Sequence, residues 1–157
     1  MSDGIYLGLS HTYERMTPVT HKANMTWSGD GYVFDATTGG GVQLTIGSDE
    51  AGNPAGPRAK ELVCLGLGAC SGSNLVTLMK KMRQAVERIE ISVEAEQAET
   101  DPMVFTHVMV RYRLYGKGVD PAKVKKALDY IEDKYCGVLH MVNKTAKTEY
   151  AFEIVEV

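Results

Sequence analysis

An α+β fold, with antiparallel sheets packed on two main helices, is what this sequence predicts. Two observations carry that expectation. Apolar residues alternate with polar ones over two adjacent stretches, whereas in two others they recur every three to four residues. The order along the chain is strands, helix, strands, helix, strand, with no internal repeat, low-complexity tract or composition break to divide it. A length of 157 residues then fits a single domain, residues 1–157, large enough to bury a core.

The first unit is a set of N-terminal strands over residues 20–46. His21 to Trp27 reads as a strand, and Ser28-Gly29-Asp30-Gly31 as a tight turn into Tyr32 to Ala36. Gly39-Gly40-Gly41 turns the chain again before Val42 to Ile46, and a Gly/Pro-rich loop runs from Gly47 to Pro57. The glycine run lies between strands and lacks a Lys-Ser/Thr ending, which excludes a phosphate-binding loop.

A central helix follows over residues 59–83, with apolar rows from Leu62, Leu65, Leu75, Leu78, Met79 and Met82. Lys80, Lys81 and Arg83 charge its last turn, where cations complement the helix dipole. Its middle is unusual: Gly66, Gly68, Ala69, Ser71, Gly72 and Ser73 surround Cys70. A glycine inside a helix costs about 1 kcal/mol relative to alanine, so these need a tertiary reason. Small residues here let another backbone, or a substrate, come close to Cys70.

The remaining unit spans residues 88–157. Ile89, Ile91, Val93 and Ala95 alternate with charged and polar neighbours in a half-exposed strand, which Asp101-Pro102 ends. Phe105 to Tyr115 is its expected antiparallel partner, with Val108, Val110, Tyr112 and Leu114 on one face and Met109, Arg111 and Arg113 on the other. Asp120 caps a second helix with Pro121 at its first position, and Val124, Leu128, Ile131 and Tyr135 form its apolar stripe. Cys136 falls at the end of that helix or at the start of another after Gly137. Thr148 to Val157 is the last strand.

Composition narrows the function classes. A formal net charge of -3 with mixed signs offers no polyanion-binding face, so nucleic acid is not an expected partner. The longest apolar stretch, Leu62 to Cys70, is too short to span a bilayer, so no membrane partner is expected. The start of the chain lacks a basic segment followed by an apolar core, and a cytoplasmic location is the expectation. There are three cysteines and four scattered histidines, without a CxxC pair, which gives no support for a metal site. In a reducing compartment, Cys70 in GLGAC and Cys136 in KYCGVLHM point to thiol chemistry rather than a structural cross-link. Cys64, among Leu62, Val63 and Leu65, reads as packing. His140 reads as core or interface, and Met79, Met82 and Met141 as packing residues.

The segment GPRAKELVCLGLGACSGSNLV resembles the first signature of the OsmC/Ohr family, and ALDYIEDKYCGVLHMVNKTAKTEYAFE is similar to the second. The resemblance spans roughly residues 20–157. It implies an OsmC-like fold, an intertwined homodimer with sites at its interface, and a peroxidase that uses no metal, haem or flavin. By position, Cys70 is the thiolate that attacks an organic hydroperoxide, or hydrogen peroxide, and Cys136 is the resolving thiol. A lipoyl-type or small-molecule dithiol is the implied reductant, and oxidative-stress defence the implied role.

The resemblance also implies an arginine from the N-terminal sheet, held by a carboxylate near the start of the central helix, to activate the thiolate. Residues 16–57 contain no arginine, so Arg15 and Arg58 are the candidates, with Lys60, His21 and Lys22 behind them. Glu61 is the candidate carboxylate; the family's reductases carry it one position earlier, where this chain has Lys60. One residue turns a helix by about 100°. The arginine-free run motivates an alternative: a ligand-binding or redox-sensing dimer of the same fold without efficient turnover. A third reading, hydrolysis of acyl thioesters, leaves the two cysteines without a shared purpose.

Overall fold

The computed structural model describes residues 19–157, so Arg15 lies outside the described residues. Two three-stranded sheets and a helical layer make up the chain. The N-terminal sheet is an antiparallel meander of β1 (Ala23–Trp27), β2 (Phe34–Thr38) and β3 (Gln43–Ile46). Its first turn is pinned by the Trp27 indole N–H, which donates to the Gly31 carbonyl at 3.1 Å. Gly31 has φ +47°, and a Cβ there would lie 2.8 Å from the backbone of Asp49 and Glu50. Only glycine meets both demands.

The second sheet contains β4 (Val86–Gln97), β5 (Phe105–Gly116) and β6 (Lys147–Val155), with β5 in the middle. β4 pairs with β5 antiparallel, as expected, but β6 runs parallel to β5. The expectation of purely antiparallel sheets is therefore corrected: this sheet is mixed. The reason is the connection. A parallel neighbour needs a long crossover, and the chain supplies one in α2 (Pro121–Tyr130), a π-helical turn (Ile131–Tyr135) and α3 (Gly137–Val142).

The central helix α1 (Ala59–Lys81) packs on β4 on one side and on α2, the π turn and α3 on the other. Leu67, Ser71, Leu75 and Met79 recur every four residues and are all buried. They share one core with Val108, Val110, Tyr112 and Leu114 of β5 and with Val124, Ala127 and Leu128 of α2. Those four β5 residues form the apolar face expected from the alternation, and Arg111 and Arg113 on the opposite face pair with Glu94 and Glu153 at 2.8 Å. By length and composition α1 could cross a membrane. In this chain it is the core helix.

The glycines of α1 divide between two sides. A Cβ on Gly72 would lie 2.5 Å from Ile91 Cδ1, and one on Gly68 3.4 Å from Val93 Cγ2, so both let the helix settle onto β4. Gly66 has nothing within 4 Å. The small residues thus serve the approach of a sheet, and only Gly66 leaves open space.

Truncating Leu75, which is fully buried, should cost about 2–5 kcal/mol in Leu75→Ala. Gly66→Ala should instead gain up to about 1 kcal/mol by helix propensity. Urea denaturation of the two variants beside the wild type checks both signs.

Candidate functional site

Cys70 lies in the middle of α1 and is half-buried, whereas Cys136 is 0% exposed at the join between the π turn and α3. At Cys136 the backbone leaves the helical region (φ −92°, ψ 94°), which ends one helix and caps the next. Its N–H donates to the Ile131 carbonyl at 3.1 Å, the five-residue step that defines a π turn. Its Sγ accepts from the Leu139 N–H at 3.4 Å as the N-cap of α3. The choice between helix end and helix start resolves as both.

The fold brings the two thiols close enough for Cys70 to act on the ionisation of Cys136. Burial, then the neighbouring Cys70 thiol, pushes the Cys136 thiol up to about 11, so Cys136 keeps its proton at neutral pH. Both cysteines are free thiols. Tyr112 stands in the core beneath them; burial pushes its phenol up to about 12, against a hydrogen bond with Ser71. The thiol pair therefore has a neutral floor.

Asn74, one helical turn after Cys70, was not singled out from the sequence. Its Nδ2 donates to the Cys70 carbonyl at 2.9 Å and to the Tyr135 carbonyl at 3.3 Å, and stands 4.0 Å from Cys70 Sγ. The i, i+4 spacing could have placed Asn74 beside Cys70. Its reach to Tyr135 depends on how α1 meets the π turn.

The candidate activating residues lie elsewhere in the chain. Glu61 is nine residues before Cys70, a rise of about 13 Å along the axis. Its carboxylate accepts from the Arg58 N–H at 2.7 Å and so ties down the start of α1. The Arg58 guanidinium donates to the Gly52 carbonyl at 3.0 Å. Lys60 donates to Gln97 and to the Met103 carbonyl. Among the described residues, no hydrogen bond or ion pair joins a cationic side chain to Cys70 or Cys136. His21 and Lys22 are exposed.

Cys64 is half-buried on another face of α1, beside Leu65, Val93 and Ala95. Burial and the Glu61 charge raise its thiol, in keeping with a packing residue. Met79 and Met82 join the core, but Met141 is 73% exposed and His140 is exposed as well, so neither packs inside this chain. Met141 instead edges an apolar groove of about 670 Å³ with Val63, Gly66, Phe105 and Val138. Neither cysteine lines the groove; its nearest lining residues in sequence are Gly66, one turn before Cys70, and Val138, two residues after Cys136.

The family model described as "OsmC-like protein" matches residues 51–151, a span that contains α1, both cysteines and most of β6. The chain is 29% identical over 134 residues to "Protein YhfA" of Escherichia coli (strain K12), covering 85% of this chain and 98% of that protein. An OsmC-like protein from Mycoplasma pneumoniae superposes with a TM-score of 0.74 at 11% identity, over 88% of this chain and 99% of that one. An organic hydroperoxide resistance protein from Elizabethkingia anophelis does so with a TM-score of 0.67 at 12% identity, over 89% and 99%. At such identities these structures establish a shared fold.

Iodoacetamide at pH 8 should alkylate Cys70 well before Cys136 in the folded protein, as peptide mass spectrometry can read. The pH dependence has a definite sign. Ionisation of Cys136 moves from an ordinary 9.0 up to about 11 on folding, so the native state favours the protonated thiol. That contribution is complete below pH 9 and is lost as pH rises through 11. Urea stability should therefore fall more steeply over that interval in the wild type than in Cys136→Ser.

Proposed function

The chain belongs to the OsmC-like protein family, and on that premise we propose that it is a thiol-dependent peroxidase that reduces organic hydroperoxides in oxidative-stress defence. The observation that carries this reading is the pair of free thiols on adjoining segments bridged by Asn74, one half-buried and one fully buried. A similarly folded protein is described as an organic hydroperoxide resistance protein.

Cys70 is the attacking thiolate. Its sulfur attacks the distal peroxide oxygen, an S–O bond forms as the O–O bond breaks, and the displaced alkoxide takes a proton and leaves as alcohol. Cys70 is then a sulfenic acid. The sulfur of Cys136 attacks it, the disulfide forms, and the hydroxyl leaves with the Cys136 proton as water. An external dithiol, lipoyl-type or small, returns both cysteines to thiols by exchange and is itself oxidised to a disulfide. A cytoplasmic setting would keep such a dithiol reduced. The apolar groove that Gly66 and Val138 help to line suits alkyl or aryl groups better than hydrogen peroxide.

The working unit in this reading is a homodimer. Among the described residues the N-terminal sheet makes no extensive packing with the helices or with the second sheet, and its Met25 and Trp27 are 62% and 58% exposed. Val63, Leu65 and Val76 of α1 are also exposed. A second copy would cover both surfaces, and it is the route by which Arg58, Glu61 or Arg15 could approach Cys70.

One observation favours a second reading, a redox-sensing or ligand-binding dimer without efficient turnover. Arg58 and Glu61 are both engaged in fixing the start of α1, and residues 16–57 supply no other arginine.

Stopped-flow mixing of reduced protein with cumene hydroperoxide separates the two. The peroxidase reading expects rapid loss of two thiols per chain and a Cys70–Cys136 disulfide by peptide mapping. It also expects no turnover in Cys70→Ser, and in Cys136→Ser a single reduction followed by over-oxidised Cys70. A rate no faster than that of a free dithiol would favour the second reading, and retained turnover in Cys70→Ser would end the first.

A further inference from the structure

We infer that Asn74 is a positioning residue that holds the Cys136 segment against Cys70 and so sets how readily the two sulfurs join. The inference builds on the thiol-pair reading above. It starts from a feature that the chemistry does not use: one side-chain amide stands between the two cysteine-bearing segments.

The Asn74 Nδ2 has two hydrogens and two carbonyl acceptors, Cys70 O at 2.9 Å and Tyr135 O at 3.3 Å. Because both neighbours are acceptors only, the NH₂ end of the side chain must face them. The first bond anchors the amide to α1 beside the attacking cysteine. The second reaches 61 residues along the chain, to the carbonyl immediately before Cys136.

Asn74 gives the Tyr135 carbonyl a fixed partner. That carbonyl lies at the end of the π turn, where the change of backbone direction at Cys136 leaves late carbonyls without intrahelical donors. The hydrogen bonds of Cys136 itself are local: its N–H to Ile131, its carbonyl from the His140 N–H and its Sγ from the Leu139 N–H. They shape the crossover, which apolar packing holds against α1. Asn74 adds a directed bond across that seam. It couples the backbone of the resolving cysteine to the backbone of the attacking one through a single planar group.

The consequence falls on disulfide formation. Joining two thiols within one chain depends on how often the sulfurs meet, that is, on their effective concentration. Loss of one neutral hydrogen bond, worth about 1 kcal/mol, should lower that concentration roughly five- to tenfold. A slower closing step also leaves sulfenic acid exposed for longer, which favours its further oxidation to sulfinic acid.

The test equilibrates wild type, Asn74→Ala and Asn74→Asp with reduced and oxidised dithiothreitol in the absence of peroxide. The disulfide fraction is read by mass spectrometry, and thermal melting confirms that each variant is folded. Asn74→Asp keeps the shape of the side chain but, ionised, has no hydrogen to donate, so it decides the matter if Asn74→Ala does not fold. Each variant is then exposed to graded cumene hydroperoxide, and the ratio of sulfinic acid to disulfide at Cys70 is measured.

A five- to tenfold shift toward the dithiol in either folded variant, with a raised sulfinic fraction wherever peroxide reacts, is the expected result. Equilibria within twofold of wild type would overturn the inference, as would a wild-type pair that forms no disulfide under oxidising dithiothreitol. A wild-type pair that closes in dithiothreitol but ignores peroxide would remove the peroxidase reading alone. The shift in the variants would still support Asn74 as the residue that holds the pair.

Discussion

The seating of α1 on β4 is the constraint on which the rest of the structure depends. Gly68 and Gly72 bring the helix down against Val93 and Ile91, and this fixes its rotation. The row Leu67, Ser71, Leu75 and Met79 is then committed to the core shared with β5 and α2. With that rotation set, Cys70 and Asn74 come to lie where α1 meets the π turn and α3. A helix free to roll by one residue would carry Cys70 about 100° away from Cys136. The glycines in the middle of the helix therefore position the site indirectly, through the seating of α1 on β4.

The irregular backbone at Cys136 complements that regular one. A π turn adds one residue to a helical turn, and such turns recur at functional positions. Here the break at Cys136 buries the second thiol and turns its sulfur to the Leu139 N–H at the start of α3. Burial pushes the pKa of this thiol up, while the first stays half-buried. The two cysteines differ in environment because their backbones differ in regularity.

Much of this was legible in the sequence. The alternation of Val108, Val110, Tyr112 and Leu114 identified the buried face of β5, and Asp120-Pro121 marked the start of α2. Cys70 and Cys136 were found because small residues and a helix boundary surround them. The direction of β6 was not legible, since periodicity reports which side chains are buried and says nothing of which way a strand runs. The bond from Asn74 to Tyr135 was hidden for a related reason: contacts between distant segments follow from packing, not spacing. Glu61 had two readings from its position alone, and the hydrogen bond to the Arg58 N–H places it in the helix start. Arg58 and Lys60 likewise had charges that the sequence could count but could not aim.

The parallel pairing of β5 and β6 has a consequence for how the molecule is made. An antiparallel partner can dock as soon as a short turn emerges, but β6 must wait for the whole crossover that precedes it, and non-local pairing of this kind forms late. Cys136 rides on that crossover. While the chain is being synthesised, Cys70 can already lie in a finished helix when its counterpart is still loose and unshielded. The two sulfurs become neighbours only once the crossover has packed onto α1, so the thiol pair is a late product of folding.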